Sequence, residues 1–395
     1  MEFAELQALL TSDGLRLLDG VGDIASTDEV AATVSRLRRD GHSPDLVSAV
    51  VGQARLRTRA RAKFDTFADR MLFTRAGLEQ ATRLGVAARH AARFRDAGIG
   101  RVADLGCGIG GDALGLAALG LEVLAVDADE VTAALAAYNL APFGDAVTVR
   151  HGRAEETDLD GVDAVWLDPA RRTAGHTETS RTGADDWSPS LEWAFTLAER
   201  MPVGMKLGPA FDRDRIPAGV EAQWISVDGS TIELVVWSGV LAREGVARSA
   251  LVIRGDAAAE LTAPDDSADE PVRALGAFVH EPEGAVIRAR LIGEVARELD
   301  AGMLAPGIAY LTSDAAVTSP FVQTFRVREA LSLKIPAINA ALAAAGIGTL
   351  EIKKRGVDID PAQFRRKLRL RGDAAATLIL TKVDGKRTAL LADRV

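Results

Sequence analysis

The segment Arg101–Asp129 (RVADLGCGIGGDALGLAALGLEVLAVDAD) constrains this chain more than any other. A short apolar run, Val102-Ala103-Asp104-Leu105, leads into Gly106, Gly108, Gly110 and Gly111. An Ala- and Leu-rich stretch follows, then a second apolar run, Leu121 to Val126, that ends on Asp127. Strand, tight loop, helix, strand, acid is one half of a nucleotide-binding unit and predicts an α/β fold around a parallel sheet. Glycines let the backbone enter the positive-φ region and approach a ligand closely. An acid about twenty residues beyond the first glycine stands where a carboxylate can hold ribose hydroxyls. Counted from Gly106, the same residues also satisfy G-x-G-x-x-G, so the loop alone does not choose between nucleotide ligands.

Composition narrows the class. With 395 residues, 48% of them apolar, the chain has material for two or three domains with real cores. No apolar run approaches the roughly eighteen residues of a membrane span. The start, MEFAELQALLTSDGL, carries acids early and lacks a basic segment followed by an apolar block, so no secretory signal is expected. The single cysteine, Cys107, excludes an internal disulfide and a Cys-cluster metal site; a cytoplasmic protein without metal is expected. A net charge of −9 argues against generic polyanion binding, so a nucleic-acid surface has to be a local patch.

Asp104, two residues before the first glycine, completes D-L-G-C-G-I-G-G. This resembles motif I, D-x-G-x-G-x-G, of the class I S-adenosylmethionine (SAM) methyltransferases. The resemblance implies SAM as cofactor and a Rossmann-like, seven-stranded sheet of order 3-2-1-4-5-7-6 with strand 7 antiparallel. It implies Gly106, Cys107, Gly108 and Gly110 against the cofactor, Asp104 at its methionine end, and Asp127 with Ala128 at its ribose. After the third strand, Val147 to His151, the family often carries G-D-A beside the adenine. Here the residues are Gly152-Arg153-Ala154-Glu155, so Ala154 and Glu155 are the adenine candidates and Arg153 stands in place of the acid.

Residues 1–97 read as a helical region. Phe3 to Leu10 is amphipathic and ends at an Asp13-Gly14 break; Ser26 with Glu29 three residues on reads as a capping box. A long helix from Ser43-Pro44 to about Ala62 places Leu46, Val47, Val50, Val51 and Ala54 on one face. Its basic end, Arg55 to Lys63, is either a solvated terminus favoured by the helix dipole or an RNA-contacting face. Lys63 to Thr82 then holds three Phe in an aromatic-poor protein. It is similar in position to the W-F-S-V-T-P-E segment that folds over the cofactor in trimethylguanosine synthase-like methyltransferases, which makes Phe73 and Thr74 cofactor candidates. The alternative is that Phe64, Phe67 and Phe73 pack a helical domain.

A domain over 98–254 carries the remaining chemistry. The fourth strand, Val162 to Leu167, ends in Asp168-Pro169-Ala170-Arg171-Arg172. Methyltransferases of exocyclic base amines commonly have [D/N/S]-P-P-[Y/F/W] here: the side chain and the adjacent carbonyl accept from the target amine, and the aromatic stacks on the base. Asp168 and Pro169 match, and Asp168 is also a cofactor candidate. Ala170 and Arg171 depart from the pattern, although a guanidinium plane can stack on a base. RNA uridine-5 methyltransferases have a similar D-P-P-R but need a later catalytic cysteine, which this chain lacks. The polar loop that follows holds Arg172, His176, Arg181 and Trp187; Trp187 is either a stacking aromatic or a staple for the helix from Pro189 to Glu199. A fifth strand, Met201 to Leu207, a hairpin across Asp228-Gly229 and a further hairpin within 240–254 complete the domain.

Residues 255–270, acidic and small, read as a linker before an α+β unit over 271–395. There Ala337 to Ala345 and Pro361 to Arg369 read as helices. Lys353, Lys354, Arg355, Arg365, Arg366, Lys367, Arg369 and Arg371 crowd against only Glu351, Asp358 and Asp360. This is either the local electropositive patch that RNA requires or a solvated basic face. The order of the region is similar to the THUMP-like domain that follows bacterial methyltransferase modules. Together these readings predict a SAM-dependent methyltransferase of RNA (rRNA or tRNA), acting at an exocyclic base nitrogen with Asp168, Pro169 and Arg171 at the acceptor. A small-molecule methyltransferase and a non-catalytic SAM- or RNA-binding protein are the alternatives that Ala170-Arg171 and Arg153 leave open.

Overall fold

Six α-helices open the chain: α1 (Phe3–Leu9), α2 (Ser12–Val21), α3 (Thr27–Arg39), α4 (Pro44–Phe64), α5 (Arg75–Gln80) and α6 (Leu84–Asp96), the first five of them capped at the N-terminus by a side chain. The structure is a computed structural model that describes residues 1–171 and 187–395. Ser26 Oγ accepts from Glu29 N at 3.2 Å and Glu29 Oε2 accepts from Ser26 N at 2.9 Å, a reciprocal box that satisfies two orphan donors of α3. The break expected at Asp13-Gly14 falls earlier. Thr11 caps α2 by accepting from Gly14 N at 3.0 Å, and a Cβ on Gly14 would stand 2.5 Å from Leu9 O. Glycine therefore permits the close approach of α1 and does not end a helix. Leu6, Leu9, Leu18, Leu37, Val47, Val50 and Leu72 share one core with Leu135; each such side chain contributes about 1.5–3 kcal/mol when fully buried. The basic end of α4 divides its charges. Arg57 is buried, pairs with Asp19 at 3.0 Å and donates through Nε to Met71 O at 2.9 Å, while Arg61 lies outside and pairs with Asp23 and Asp69.

These helices belong to a first unit, Met1–Lys206 with Trp237–Ala242. Its strands are β1 (Arg101–Leu105), β2 (Glu122–Asp127), β3 (Val147–His151), β4 (Ala164–Leu167), the short β5 (Ala170–Arg171) and β6 (Trp187–Ser188), and β7 (Val203–Leu207). The order β7-β4-β1-β2-β3 is parallel throughout, which is the expected 5-4-1-2-3. β1 and β4 are apolar and almost wholly buried, as strands covered on both faces must be. Among the described residues of this unit, α7 (Gly111–Ala118), α8 (Glu130–Leu140) and α9 (Leu191–Ala198) follow. Rings of His90, Phe94, Trp166 and Trp237 pack together, with His90 and Trp166 centroids 4.5 Å apart. Gly204 makes room for them: a Cβ there would stand 2.6 Å from Trp237.

The second unit is Leu207–Val236 with Arg243–Val395. It holds β8 (Glu221–Val227), β9 (Ser230–Trp237, whose last residue belongs to the first unit), β10 (Arg248–Arg254) and β11 (Ala257–Ala263), in the order β11-β10-β8-β9. Asp228 (φ 48°) and Gly229 (φ 81°) make the two-residue turn with both central residues at positive φ that joins β8 to β9. β9 and β8 are the expected 7-6 pair; β10 and β11 continue beyond it. Here the sequence reading is corrected. Ala257–Ala263, expected as linker, is a strand, and the hairpin expected within 240–254 instead joins β10 to β11, which pair from Arg248↔Ala263 to Arg254↔Ala257. Small side chains on a largely exposed edge strand leave no apolar alternation to read.

A second sheet contains β12 (Phe278–Pro282), β13 (Gly302–Ala305), β14 (Ile308–Ser313), β15 (Val322–Ser332), β16 (Ile347–Lys354), β17 (Ala374–Val383) and β18 (Lys386–Arg394), in the order β13-β14-β12-β15-β18-β17-β16. Helices α10 (Gly284–Arg288), α11 (Ile292–Glu298), α12 (Ile335–Ala344) and α13 (Pro361–Arg365) accompany it. Period-two alternation fills both faces of the central strands: Leu378, Leu380 and Leu391 pack with Ile338, Leu342 and Phe364, whereas Ile379 and Leu390 pack with Val279, Tyr310 and Phe325. α13 stops short of the expected Arg369, because the chain turns there and carries Leu368 and Leu370 into the same core.

Candidate cofactor and acceptor site

Parallel pairing brings the carboxyl ends of the first unit's strands together, where open α/β sheets place their ligands. Leu105 is in register with both Val126 and Leu167. Beyond it, Gly106 N and Cys107 N donate to Val126 O at 2.8 and 3.0 Å. Gly106, Gly108 and Gly110 have φ of 89°, 56° and 86°. A Cβ on Gly106 would lie 3.2 Å from Asp168 O, whereas one on Gly108 would meet nothing within 4 Å. Cys107 is buried, and burial pushes its thiol well up, so it packs and is no nucleophile. The Asp127 carboxylate accepts from Gly108 N and from Asp129 N, both at 2.9 Å. Burial raises its pKa, and these two N–H groups oppose the rise.

Ala128 is exposed, and its carbonyl accepts from His151 Nε2 at 3.2 Å. Gly152 N donates to Asp127 O at 2.9 Å, which carries the turn at Ala154 and Glu155 to the end of β2. Arg153, in place of the expected acid, pairs within its own turn with Glu155 at 3.8 Å and Glu156 at 3.6 Å.

Asp104 is the unusual group. It is 1% exposed, and among the described residues neither carboxyl oxygen has a hydrogen-bond partner. Burial first, then Asp112 and Asp168, push its pKa well above the carboxylate range. An acid buried without a donor is costly, and a bound cation would relieve that cost. Asp168 follows β4, partly exposed, and pairs with Lys206 of β7. Lys206 Nζ also donates to Thr82 Oγ1 at 3.1 Å and lies 3.9 Å from Asp112. Asp112 accepts from Thr82 at 2.7 Å and from His90 Nδ1 at 2.9 Å. Burial pushes Asp112 up, but His90, Lys206 and Thr82 outweigh it and hold it below its ordinary value.

The segment ahead of the loop is clamped by two buried amides. Gln53 donates to Phe73 O at 2.6 Å and accepts from Phe73 N at 2.9 Å. Asn139 accepts from Leu72 N at 2.7 Å and donates to Leu72 O and Ile109 O at 3.0 and 2.9 Å, tying the segment to the glycine loop. The Phe73 ring is fully buried, 5.7 Å from that of Phe64. The expectation for Phe73 is thus corrected toward packing: a ring without exposed surface has nothing to offer a cofactor. Thr74 caps α5 through Gly77 N at 2.9 Å, and Gly77 lets α5 seat on the loop, since a Cβ there would stand 2.6 Å from Ile109 Cγ2. Pro169 and Trp187 are buried, and the backbone of Arg171 pairs with that of Trp187. Arg172, His176, Arg181 and the side chain of Arg171 lie outside the described residues. Sequence reasoning missed Thr82, His90, Asp112 and Lys206. Their one signal is a polar residue inside an apolar run, such as Lys206 in VGMKL.

A family model described as THUMP domain-like matches residues 322–394, and one described as a domain of unknown function (DUF8688) matches residues 2–60. Two Mycobacterium tuberculosis proteins, from strains CDC 1551 / Oshkosh and ATCC 25618 / H37Rv, are each named an uncharacterized S-adenosylmethionine-dependent methyltransferase. Each is 32% identical to this chain over 358 residues, 88% of this chain and 95% of its own length. The chain belongs to this family of SAM-dependent methyltransferases. A crystallised candidate methyltransferase from Porphyromonas gingivalis W83 shares the fold, with a TM-score of 0.72 over 94% of this chain and all of its own, at 20% identity. The fold is that of the class I methyltransferases.

SAM is the cofactor of this methyltransferase, and the residues present fit it. It supplies, when bound, a sulfonium methyl open to nucleophilic attack. The unpartnered Asp104 suits the cationic methionine end, the open side of Gly108 leaves room beside the loop, and Asp127 presents a carboxylate at the end of β2. Among the described residues of this methyltransferase, no group of three or more His, Cys, Asp or Glu could hold a metal ion. No described helix is long and apolar enough to cross a membrane.

The predicted basic patch in the second unit divides into two sets. Lys353 and Arg355 turn inward, to Glu281 at 2.6 and 3.5 Å, and Arg365 donates to Leu350 O. Lys354, Arg366, Lys367 and Arg369 are exposed and, among the described residues, make no ion pair.

Proposed function

We propose that this methyltransferase modifies RNA, an rRNA or tRNA of the cytoplasm, at an exocyclic nitrogen of a base. The observation that supports it is the seat of Asp168: its carbonyl oxygen lies against Gly106 of the cofactor loop. An amine accepted by the Asp168 carboxylate and the backbone beside Pro169 stands at the loop's edge. Transfer to a neutral amine needs alignment more than a strong base, and the proton leaves to water afterwards. Arg171 offers a plane on which the base stacks. The THUMP-like match and the exposed cations Lys354, Arg366, Lys367 and Arg369 support RNA as the substrate, with the last third, residues 271–395, holding its phosphates.

The test is transfer of labelled methyl from SAM into total RNA of a strain lacking the gene. Wild type labels that RNA, and Asp168→Ala loses on the order of 10²-fold or more of the rate while still binding SAM. Replacing the four exposed cations by Gln weakens RNA binding and lowers its salt dependence by roughly one unit of slope per lost phosphate contact. SAM binding without incorporation into any RNA would sink the proposal.

A further inference from the structure

Five side chains from separate parts of the first unit form one polar chain that ends at the acceptor: His90 to Asp112, Asp112 to Thr82, Thr82 to Lys206, and Lys206 to Asp168. Lys206 is nearly buried, with 12% of its side chain exposed, whereas Asp168 stands at the lip with 32% exposed. We propose that Lys206 is a positioning residue for methyl transfer. It fixes the Asp168 carboxylate beside the cofactor loop, so that the acceptor meets a carboxylate of set orientation and charge. This rests on the reading of Asp168 as the acceptor group.

Ordering a lysine stem costs rotamer entropy, and its buried charge is tolerated only when paired. Here the ammonium is held from behind. Thr82 and Asp112 approach it from the helical side, and Asp112 is itself fixed by His90. A lysine so anchored presents its remaining reach to Asp168 alone among the described carboxylates at the lip. Lys206 is also the counter-charge of the cluster. Asp112, Asp168 and Asp127 push Asp104 up, and Lys206 acts against them. Lys63 of α4 and Arg83 are further cations nearby; the Lys63 amine donates to Leu78 O, Glu79 O and Ala81 O, each at 2.8 Å. A purely structural pair would not need one partner exposed at the cofactor loop.

The experiment uses the full chain with tritiated SAM, and total RNA, protein and small-molecule fractions of the deletion strain. Rates are compared in whichever fraction the wild type labels, so failure of the RNA reading leaves this test standing. Lys206→Met, assayed at saturating SAM, is expected to lower kcat on the order of 10²-fold, as misplacement of an aligning group does. Lys206→Arg recovers most of the loss. Lys206→Met combined with Asp168→Asn is no slower than Asp168→Asn alone, since one acts through the other. Thr82→Val, which loosens Lys206 without removing a charge, gives a smaller loss of kcat and covers the case in which Lys206→Met fails to fold. Unchanged kcat in either variant, or losses that multiply in the double variant, overturns the proposal.

Discussion

Each unit contains a cluster of buried and half-buried acids around a cation, and the two are finished differently. In the second unit, Arg243 binds Glu221 at 2.5 Å and Glu260 at 2.7 Å, and Ser249 donates to Glu260 at 2.6 Å. Glu221 is fully buried, yet it has an opposite charge in contact. Burial works against the charge of Arg243, but the two carboxylates outweigh it and raise its pKa. In the first unit, Asp112 and Asp168 share Lys206, His90 holds Asp112, and Asp104 has no donor among the described residues. A closed cluster fixes the join of β8, β10 and β11. An unfinished one stores unfavourable energy that a cationic ligand at that place would release.

The largest effect is expected from opening the closed cluster. Arg243→Leu leaves Glu221 buried without its partner and costs about 3–5 kcal/mol, the usual result of breaking a buried pair from one side. Urea unfolding of the second unit's transition reads it. Adding Glu221→Leu recovers much of that loss, because two apolar groups need no pairing. If the single variant is nearly neutral, the two clusters are not different in kind.

Asp104→Asn tests the other side. Loss of a charge-assisted contact of about 1.5–3 kcal/mol lowers SAM affinity tenfold or more, while the melting temperature rises. The signs follow from the raised pKa. Below the ordinary aspartate value of 3.8 the acid is protonated folded and unfolded, and it costs nothing extra. As pH rises, the unfolded chain ionises first, so the stability of the wild type falls until Asp104 itself ionises. The stability gain of Asp104→Asn should therefore open above pH about 4 and widen toward neutrality. SAM affinity of the wild type should rise over the same range, because the cation selects the ionised form; calorimetry across pH checks both. A gain in stability that does not depend on pH would assign the effect to packing.

The same contrast explains what could be read from the sequence. Motif I was legible because it is local: Asp104 ahead of glycines at fixed spacing sets the resemblance to class I methyltransferases, and that resemblance carried the parallel order 5-4-1-2-3. The Asp228-Gly229 turn was legible for the same reason. Asp168 was visible at a strand end, and Asp104 by its place before the glycines. Lys206 was not, because its partners Thr82, Asp112 and Asp168 come from distant positions that only the sheet brings together. Phe73 misled for a related reason. An aromatic beside a cofactor loop reads alike whether its ring covers a ligand or fills the core behind it. β11 was missed because an exposed edge strand of Ala and Thr shows no apolar face, and the basic patch was read as one surface although Lys353 and Arg355 turn to Glu281.

The smallest expected effect is the sharpest test of the comparison. Ser249→Ala removes one hydrogen bond to Glu260, which keeps Arg243 and Gln223 as donors, so the loss is about 1 kcal/mol. Burial pushes Glu260 up, but Arg243, Ser249 and Gln223 outweigh it and hold its pKa low. The stability Glu260 contributes is complete above its ordinary value of 4.5 and is lost as pH falls toward its folded value. The deficit of Ser249→Ala should therefore be full at neutral pH and close in acid. The gain of Asp104→Asn closes in acid as well, with the opposite sign. Two buried acids, one finished by the protein and one left for a ligand, should thus give mirror-image pH profiles of thermal stability. Profiles of the same sign would mean that Asp104 is matched in solution by a group of the protein, and its role at the methionine end of SAM would fall.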